Sequence, residues 1–346
     1  MSTLHELVVE EIQSLTPNAV AVRLCLPESL GKVFSYQAGQ YLTLEASINN
    51  AAVRRAYSLC SAPNEKGLTV GIKKVPDGVF STFANEALAV GDRLRVMPPA
   101  GRFVLSSSVA HEALLLVAAG SGITPLFSII KHSLQTAPER PIHLVYGNKN
   151  PKETMFKQDL ETLEKNAGGS LKIHWVYSQS KEENALFGRI DGATVRPILA
   201  QMSGNKKQAF LCGPEEMITA VKSALIEEQL DESSIFYELF QTKKEAEISP
   251  ATKETVTVTL ITDDESYTVT SPRTQTLLDG ALNEKIEVPY SCQGGVCCSC
   301  IAKITHGEAA MENNQTLTDT EIEEGLVLTC ISYPTSSQIT VNYDEV

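Results

Sequence analysis

Four cysteines near the C-terminal end of the sequence constrain this chain more than any other feature. Three of them follow the spacing C-x4-C-x2-C and the fourth lies further along; the set is Cys292, Cys297, Cys300 and Cys330. Two glycines in the loop, Gly294 and Gly295, permit left-handed backbone angles and let N–H groups approach the sulfurs. This spacing is that of plant-type [2Fe–2S] sites. The sequence therefore predicts an iron–sulfur centre on these four residues.

Two alternative roles for the cysteines stay open from the residues alone. A zinc site normally uses paired C-x2-C turns, and only one such pair is present here. The thiols can also be buried structural groups, as many free cysteines are. Cys298 falls outside the spacing, and we expect it to be a neighbour of the centre rather than a ligand.

The length of the chain, 346 residues, predicts two or three domains rather than a single core. No apolar run approaches the roughly 20 residues that a membrane-spanning helix needs. The first residues lack the basic and apolar blocks of a signal peptide, so we expect a cytoplasmic protein. In that compartment the eight cysteines indicate metal binding or catalysis rather than disulfides.

The negative charge is concentrated in the part of the chain that carries the cysteines. Residues 254–346 hold 15 of the 42 acidic residues and 3 of the 29 basic ones, a balance of −12, whereas residues 1–253 carry −1. This distribution argues against nucleic-acid binding. It favours docking onto a basic protein partner, although acidity that serves only solubility gives the same pattern.

Residues 1–108 read as short strands separated by glycine and proline, which predicts a small antiparallel barrel. The expected strands are 5–11, 19–26, 40–45, 56–60, 68–73 and 93–96, and a helix is expected at 81–88. Two motifs carry chemistry, Arg55-Ala56-Tyr57-Ser58 and Gly78-Val79-Phe80-Ser81. An arginine fork can hold a pyrophosphate, and Ser81 can cap a helix whose start faces a phosphate. Ordinary barrel side chains and an ordinary turn are the plainer alternatives.

Residues 109–240 alternate between strands and helices, which predicts a parallel α/β sheet. A buried apolar strand at 113–119 leads into Gly120-Ser121-Gly122-Ile123-Thr124-Pro125 and a helix, an arrangement that suits a phosphate. Pro125 stands where the full dinucleotide fingerprint has its third glycine. Further strands are expected at 142–146, 172–177 and 209–211, with helices at 152–163 and 215–228. Cys212 lies in a Cys-Gly-Pro turn, where it is either a site residue or a small buried thiol.

Residues 241–253 are polar, contain a proline and lack apolar periodicity, so we predict a linker of extended or coil type. From residue 254 the pattern is strand, strand, helix, cysteine loop and two more strands. The expected elements are strands at 255–261, 266–270, 299–305 and 338–343 and a helix at 276–283.

The two barrel motifs together resemble the flavin-binding barrel of the ferredoxin–NADP reductase family, as does the Pro99–Phe103 stretch (PAGRF). The resemblance implies FAD, with Arg55 on its pyrophosphate, Tyr57 stacked on the isoalloxazine and Ser58 near N5. It implies that Gly78 and Ser81 help to bind the FAD phosphates.

The same resemblance continues through the later segments. The glycine stretch is similar to the family's G-x-G-x-T-P nucleotide loop, which implies nicotinamide nucleotide binding by Gly120, Gly122, Thr124 and Pro125. The Cys-Gly-Pro turn of Cys212 and Gly213 is expected beside the nicotinamide. Glu238-Leu239-Phe240 resembles the family's E-x-F ending, in which Phe240 covers the flavin or closes the core. Residues 254–346 resemble the β-grasp fold of plant-type ferredoxins.

The coenzyme is expected to be NADPH, with NADH possible. A 2′-phosphate calls for basic or hydroxyl side chains near the ends of the second and third strands, and Ser178, Lys181, Arg189 and Lys149 lie there. Many NADPH-using relatives have arginine after that serine, whereas this chain has Gln179.

The order of domains predicts a function. A nicotinamide gives up two electrons as a hydride and an iron–sulfur cluster accepts one, so a flavin must stand between them. The chain resembles the reductase components of multicomponent oxygenases, most of all the phenylacetyl-CoA epoxidase branch, which implies a di-iron oxygenase partner. That resemblance includes four stretches: 146–149 (YGNK), 188–192 (GRIDG), 292–297 (CQGGVC) and 327–330 (VLTC). The alternatives are a reductase of another ring hydroxylase, steroid hydroxylase or desaturase, or a redox-sensing electron-storage protein.

Overall fold

The computed structural model of this chain describes residues 4–105, 112–203, 206–240, 254–312, 314 and 316–346. They form two compact units, one from Leu4 to Phe240 and one that holds the residues from 254 onward. The predicted linker at 241–253 and the predicted boundary at 108 and 109 lie outside the described residues. The domain limits therefore stay predictions.

The first part of the larger unit is a six-stranded antiparallel sheet with the order β4-β3-β6-β1-β2-β5. Its strands are β1 (His5–Thr16), β2 (Ala19–Cys25), β3 (Tyr41–Ile48), β4 (Ala51–Ser58), β5 (Leu68–Lys73) and β6 (Arg93–Val96). A bridge between Leu59, directly after β4, and Val70 of β5 joins the two edges of the sheet. The strands therefore close into the predicted barrel.

The barrel core follows from the period-2 alternation of its strands. Leu42 and Leu44 of β3 and Val70 of β5 are completely buried, with Phe80 packed among them. Phe80 belongs to α1 (Val79–Glu86), so this helix is held against the barrel by an aromatic side chain. Truncating one of these buried leucines to alanine would cost about 2–5 kcal/mol.

The helix start in the barrel differs from the prediction. The sequence placed the helix at 81–88 with Ser81 as its cap, but α1 begins at Val79, and Gly78 occupies the cap position without a side-chain bond. The Ser81 hydroxyl instead accepts from Val75 N–H and donates to Gly78 C=O. It closes the turn before the helix, so the capping role was wrong.

The second part is a six-stranded parallel sheet with the order β10-β9-β8-β7-β11-β12. The strands are β7 (Ala113–Ala119), β8 (Ile142–Asn148), β9 (Leu171–Tyr177), β10 (Leu186–Phe187), β11 (Lys207–Cys212) and β12 (Ile235–Glu238). The helices are α2 (Ile123–Thr136), α3 (Lys157–Asn166), α4 (Gly192–Gln201) and α5 (Glu215–Glu227). The chain order reverses between β7 and β11, so their carboxyl ends flank the crevice where such sheets bind ligands.

One helix of this sheet was predicted too early. The sequence indicated 152–163, whereas the structure has a 3-10 turn at Pro151–Glu153 and begins α3 at Lys157. Phe156 interrupts the two with a left-handed backbone, φ +57°, and its ring stacks on Phe127 of α2 at 4.5 Å. Tertiary packing therefore sets the helix start, which local pattern could not predict.

The smaller unit has a five-stranded sheet with the order β14-β13-β19-β15-β17 and a separate pair, β16 and β18. Its strands are β13 (Thr255–Thr262), β14 (Glu265–Pro272), β15 (Ile301–His306), β16 (Ala309–Met311), β17 (Leu326–Leu328), β18 (Ser332–Pro334) and β19 (Gln338–Asn342), and its helices are α6 (Leu277–Asn283) and α7 (Asp319–Glu323). The parallel pairing of β13 with β19 beside a packed helix is the predicted β-grasp arrangement. The cysteine loop connects α6 to β15.

Candidate functional site

The glycine loop after β7 is shaped by a close backbone contact. A Cβ atom at Gly122 would lie 2.0 Å from the carbonyl oxygen of Cys212, so only glycine fits there. Gly213 is less restricted, because its Cβ would lie 2.7 Å from the flexible end of Met217 and 3.1 Å from Ala119 Cβ at the end of β7. The loop after β7 and the Cys-Gly-Pro turn after β11 therefore pack directly against each other at the sheet's switch point.

The start of α2 faces the same crevice. Thr124 donates a hydrogen bond from its hydroxyl to Ser121 C=O at 3.0 Å, which closes the glycine turn. Pro125 sits in the first turn of α2, where a missing N–H costs no helical hydrogen bond. These residues leave a helix N-terminus at the end of a buried strand, an arrangement suited to a phosphate.

The barrel meets the sheet at this helix start. A Cβ atom at Gly71 of β5 would lie 2.6 Å from Thr124 Cγ2 and 3.1 Å from Met155 Cε. The hydroxyl of Ser128 in α2 donates to Ser61 C=O, just after β4, at 2.6 Å. The end of β4 and the nucleotide loop are thus brought to one interface.

The first barrel motif lies on β4 at this interface. Tyr57 packs with its ring centroid 5.5 Å from that of Phe80, and burial raises the pKa of the Tyr57 phenol. Arg55 donates from Nη1 to the carbonyl oxygen of Arg54 at 2.6 Å. Ser58, the last residue of β4, is buried.

The second barrel motif lies at the start of α1. A Cβ atom at Gly78 would lie 2.3 Å from Ser81 Oγ and 2.5 Å from Val75 Cγ2. Gly78 is therefore fixed by packing, and Ser81 is buried beneath it. The first N–H groups of α1 remain available for a phosphate, as in any helix start.

A buried carboxyl group joins the barrel to the switch point. Glu238 ends β12 directly opposite Cys212 of β11, and burial raises its pKa to about 8 against the effect of a hydrogen bond with Ser58. Burial also raises the pKa of the Cys212 thiol, and the charge of Glu238 adds to this. Ser58, Cys212 and Glu238 therefore form one cluster, although the sequence motifs predicted no role for Glu238 itself.

The group formed by Ser58, Cys212 and Glu238 contains a polar atom without a hydrogen-bond partner. Glu238 Oε2 is buried and has no partner among the residues that the structure describes. A buried polar atom without a partner destabilises the protein. The polar edge of a bound flavin or nicotinamide ring can supply the missing hydrogen bond to Glu238, so these residues fit such a ring.

The end of the large unit settles one alternative for Phe240. Its side chain is 38% exposed, whereas the neighbouring Leu239 is 6% exposed. Leu239 therefore closes the core, and the core-closing role for Phe240 was wrong. Its role as a flavin cover stays a prediction.

A lysine outside the predicted motifs lies beside the glycine loop. Lys73 ends β5, and its Nζ would be 3.7 Å from a Cβ atom at Gly120. Desolvation lowers the pKa of Lys73, while Glu153 raises it and Lys149 lowers it further. The side chain places a positive charge at the loop where phosphate is expected. The only signal in the sequence was a basic residue closing a barrel strand.

The outer strands of the parallel sheet carry the residues proposed to select the coenzyme. Ser178 and Gln179 donate from their N–H groups to the carbonyl oxygens of Asn148 and Lys149, at 3.0 and 2.9 Å. Lys181 Nζ lies 5.2 Å from the centre of the Phe187 ring, which is 59% exposed.

A partly buried amide lies at this edge. Asn148 ends β8, and its side chain forms a hydrogen bond with the Tyr146 phenol, which opposes the effect of burial on the pKa of Tyr146. The carboxyl end of β8 is where a sheet of this kind binds a nucleotide. The residues present therefore fit a pyridine nucleotide.

The cysteine loop brings its four predicted ligands together. Gly294 N–H points to Cys292 Sγ at 3.4 Å and Gly295 N–H to Cys330 Sγ at 3.3 Å. Hydrogen bonding from Cys297 lowers the pKa of Cys292, and Cys330 adds to this effect. Cys300 in turn interacts with Cys330. The sulfurs form a connected set lined by N–H donors, which suits a negatively charged cluster.

Backbone conformation and one side-chain hydrogen bond hold the cysteine loop in place. The loop is held by left-handed backbone at Gln293, Gly295 and Cys298, with φ of 56°, 73° and 54°, and by the Thr316 hydroxyl, which donates to Gly295 C=O at 2.6 Å.

Three family models match successive parts of the chain. An oxidoreductase FAD-binding domain matches residues 6–105, an oxidoreductase NAD-binding domain matches 116–223, and a 2Fe-2S iron-sulfur cluster binding domain matches 261–335. They confirm the predicted oxidoreductase class and the iron–sulfur domain. In the described residues no helix is both long and apolar enough to span a membrane.

Full-length relatives share this organisation. The chain is 33% identical to one of the subunits of 1,2-phenylacetyl-CoA epoxidase of Escherichia coli, over 99% of both chains. It is 31% identical to the ferredoxin reductase component of 3-ketosteroid-9-alpha-monooxygenase of Rhodococcus rhodochrous, over 97% of this chain and 96% of the relative.

A solved structure confirms the predicted fold. The structure of phthalate dioxygenase reductase covers 98% of both chains with a TM-score of 0.66 and 22% identity. Together with the three domains and the full-length relatives, this likeness identifies the chain as a member of the family of oxygenase reductase components that carry an FAD-binding, an NAD-binding and a [2Fe–2S] domain in one polypeptide.

Proposed function

We propose that this protein oxidises NADPH and delivers the electrons singly to a di-iron oxygenase, phenylacetyl-CoA epoxidase. The nucleotide binds at the glycine loop after β7, FAD binds along β4 and α1, and the cluster binds at Cys292, Cys297, Cys300 and Cys330. FAD, when bound, would supply a group that can take a hydride and release electrons singly, and a bound cluster would carry one electron at a time.

The observation that carries the proposal is the convergence of Ser58, Cys212 and Glu238. These residues come from the barrel and from two neighbouring strands of the sheet, and they meet where the flavin and nucleotide motifs converge. A carboxyl group with a pKa raised to about 8 is the kind of perturbed group that marks a reaction site.

Two side chains at this site, Glu238 and Cys212, stay protonated and therefore uncharged. At pH 7 the Glu238 carboxyl keeps its proton, because its pKa lies at about 8. A neutral carboxyl can exchange a hydrogen bond with the Ser58 hydroxyl, and burial keeps Cys212 a neutral thiol. No fixed negative charge then opposes the arrival of a hydride. Lys73 and the start of α2 attract the phosphates and orient the nucleotide.

The choice of NADPH over NADH rests on basic side chains. Lys149, Lys181 and Arg189 are candidates to hold a 2′-phosphate, and the exposed Phe187 ring beside Lys181 offers a flat surface to adenine. We expect Lys181→Ala to lower kcat/KM for NADPH about tenfold, as loss of one charged contact does, and to leave that for NADH almost unchanged. Equal losses with both coenzymes would refute a 2′-phosphate contact.

The partner is inferred from full-length similarity to the epoxidase component of Escherichia coli. A steroid ring hydroxylase is the second candidate, because the Rhodococcus relative is similar over nearly the same length. Reconstitution of each purified oxygenase with this protein and NADPH distinguishes them. Product formation with the epoxidase is expected, and turnover with only the steroid enzyme would reassign the partner.

The electron route is tested by anaerobic absorbance titration with NADPH and NADH in parallel. Bleaching of flavin and cluster bands together is the expected result, with NADPH the more effective. Sustained turnover with an artificial acceptor would exclude a storage or sensing role. A flavin that no nucleotide reduces would overturn the assignment as a reductase.

A further inference from the structure

Two ligand-bearing segments of the cluster site are tied together by hydroxyl groups. The Thr329 hydroxyl donates to the carbonyl oxygen of Cys300 at 3.0 Å, and Thr329 N–H donates to the same oxygen at 3.1 Å. The Tyr343 hydroxyl donates to Thr329 Oγ1 at 3.2 Å. Because each hydroxyl has one proton, the chain runs in one direction, from Tyr343 through Thr329 to Cys300.

This chain of bonds is buried and anchored. Thr329 is 0% and Tyr343 is 5% exposed, so water does not compete for the bonds. Tyr343 N–H donates to Ile261 C=O in β13 at 2.9 Å, which fixes the tyrosine to the sheet. Directly beyond the site, Ile301 of β15 pairs with Leu328 of β17. The phenol lies near both thiols, since the charges of Cys300 and Cys330 raise the pKa of Tyr343 in addition to burial.

We propose that Tyr343, acting through Thr329, is a positioning residue that preforms the Cys300–Cys330 half of the cluster site and raises the reduction potential of the cluster. The inference rests on the proposed assignment of those cysteines as ligands. The positioning role follows from the geometry, because Thr329 directly precedes Cys330 and donates two hydrogen bonds to the carbonyl oxygen of Cys300. Two ligands from distant segments are thereby held together.

The effect on potential follows from charge. The carbonyl oxygen of Cys300 carries a partial negative charge close to the cluster, and reduction adds a further negative charge there. Hydrogen-bond donors compensate that oxygen and so favour the reduced cluster. The Tyr343 hydroxyl strengthens the Thr329 donor by polarising it. Losing the phenol hydroxyl weakens the compensation and lowers the potential.

The experiment compares the full-length wild-type protein with Tyr343→Phe, Thr329→Val and Thr329→Ser. Ser271→Ala is the matched control, because Ser271 is a buried hydroxyl of the same unit that bonds Gln275 at 3.2 Å. The potential is measured by dithionite titration against redox dyes, with absorbance and electron paramagnetic resonance as readouts. Cluster loss to an iron chelator gives a second readout. Neither measurement needs a nucleotide, so this test is separate from that of the reductase function.

At a fixed potential we expect Tyr343→Phe to lower the ratio of reduced to oxidised cluster threefold to tenfold, which is about 30 to 60 mV for a one-electron couple. Thr329→Val should lower this ratio further, whereas Thr329→Ser, which keeps the hydroxyl, should restore it. Tyr343→Phe and Thr329→Val should both lose the cluster to the chelator faster than the wild type. The inference would be overturned if Tyr343→Phe left the reduction potential unchanged and lost the cluster to the chelator no faster than Ser271→Ala. The proposed function would then still stand. A wild-type protein without a [2Fe–2S] spectrum would overturn the proposed function as well.

Discussion

The nucleotide and flavin site of residues 4–240 and the cluster site of residues 254–346 are built in opposite ways. The first assembles Ser58, Lys73, Gly122, Cys212 and Glu238 from separate strands and loops. The second takes three of its four predicted ligands from one loop. A site held by a loop depends on local backbone, whereas a site at a sheet's switch point depends on how whole elements pack.

This difference predicts how much of the protein a substitution in each site affects. A change in the cysteine loop should remove one cofactor and leave the larger unit intact, because that unit has a core of its own. A change at the switch point should disturb the core and the reaction together, because the same close contacts serve both. Three substitutions and one pH comparison test this contrast.

The largest expected effect is loss of the cluster in Cys330→Ser. A serine oxygen is a poor substitute for a thiolate ligand, so the visible bands of the cluster and its paramagnetic signal should disappear. Reduction of flavin by NADPH should persist. Cys298→Ser is the control, since Cys298 lies outside the spacing, and it should keep the cluster. If flavin reduction vanished with the cluster, the independence of the two sites would be refuted.

The next largest effect is expected from Gly122→Ala. Its new Cβ would lie 2.0 Å from Cys212 C=O, so the β7 loop and the Cys-Gly-Pro turn must separate. Overpacking of this kind costs about 3 kcal/mol and should lower the urea midpoint and the rate of flavin reduction together. Gly168→Asn is the control, because Gly168 has φ +59° with nothing within 4 Å of its Cβ and asparagine tolerates that backbone. A stable variant with normal kinetics would contradict the packing argument.

A smaller, purely kinetic effect is expected from Glu238→Gln. The wild-type carboxyl is protonated below its pKa of about 8, so the rate of flavin reduction should fall as pH rises through that value. The glutamine variant is neutral at every pH, so it should reduce flavin about as fast as the wild type at pH 7 and should lack the fall in rate above pH 8. Stopped-flow measurements from pH 6 to 9 provide the comparison. A variant that retains the wild-type pH profile would exclude Glu238 as the titrating group.

The contrast also accounts for what the sequence could predict. The spacing of the four cysteines, the buried strand at 113–119 and the glycine loop are local patterns, and the structure has the elements expected from them. Glu238 and Lys73 received no site role because each acquires its environment from a segment far away in sequence. The start of α3 was misplaced for the same reason, since the Phe127–Phe156 stack decides it. Spacing identifies a site made by one loop, but only topology identifies one made by several strands.

The smallest expected effect is an acid sensitivity confined to the larger unit. His143 of β8 and His174 of β9 stack with ring centroids 5.3 Å apart, and His143 Nδ1 lies 3.1 Å from His174 Nε2. Burial, His174 and Lys172 together lower the pKa of His143 to about 4. Because the unfolded histidine has a pKa near 6.5, the unfolded chain binds more protons between pH 6.5 and 4. The stability is therefore complete above pH 6.5 and is lost as pH falls.

We expect the wild-type parallel sheet to lose about 1–2 kcal/mol between pH 7.5 and 5 from this histidine, and His143→Gln to remove that part of the loss. Urea unfolding followed by the fluorescence of Trp175, the single tryptophan, reports on this sheet because Trp175 belongs to β9. His306→Gln, an exposed histidine of the smaller unit, should leave the acid loss unchanged. Equal acid sensitivity in all three proteins would place the titrating groups elsewhere. A loss that only His143→Gln removes would assign this part of the larger unit's acid response to His143.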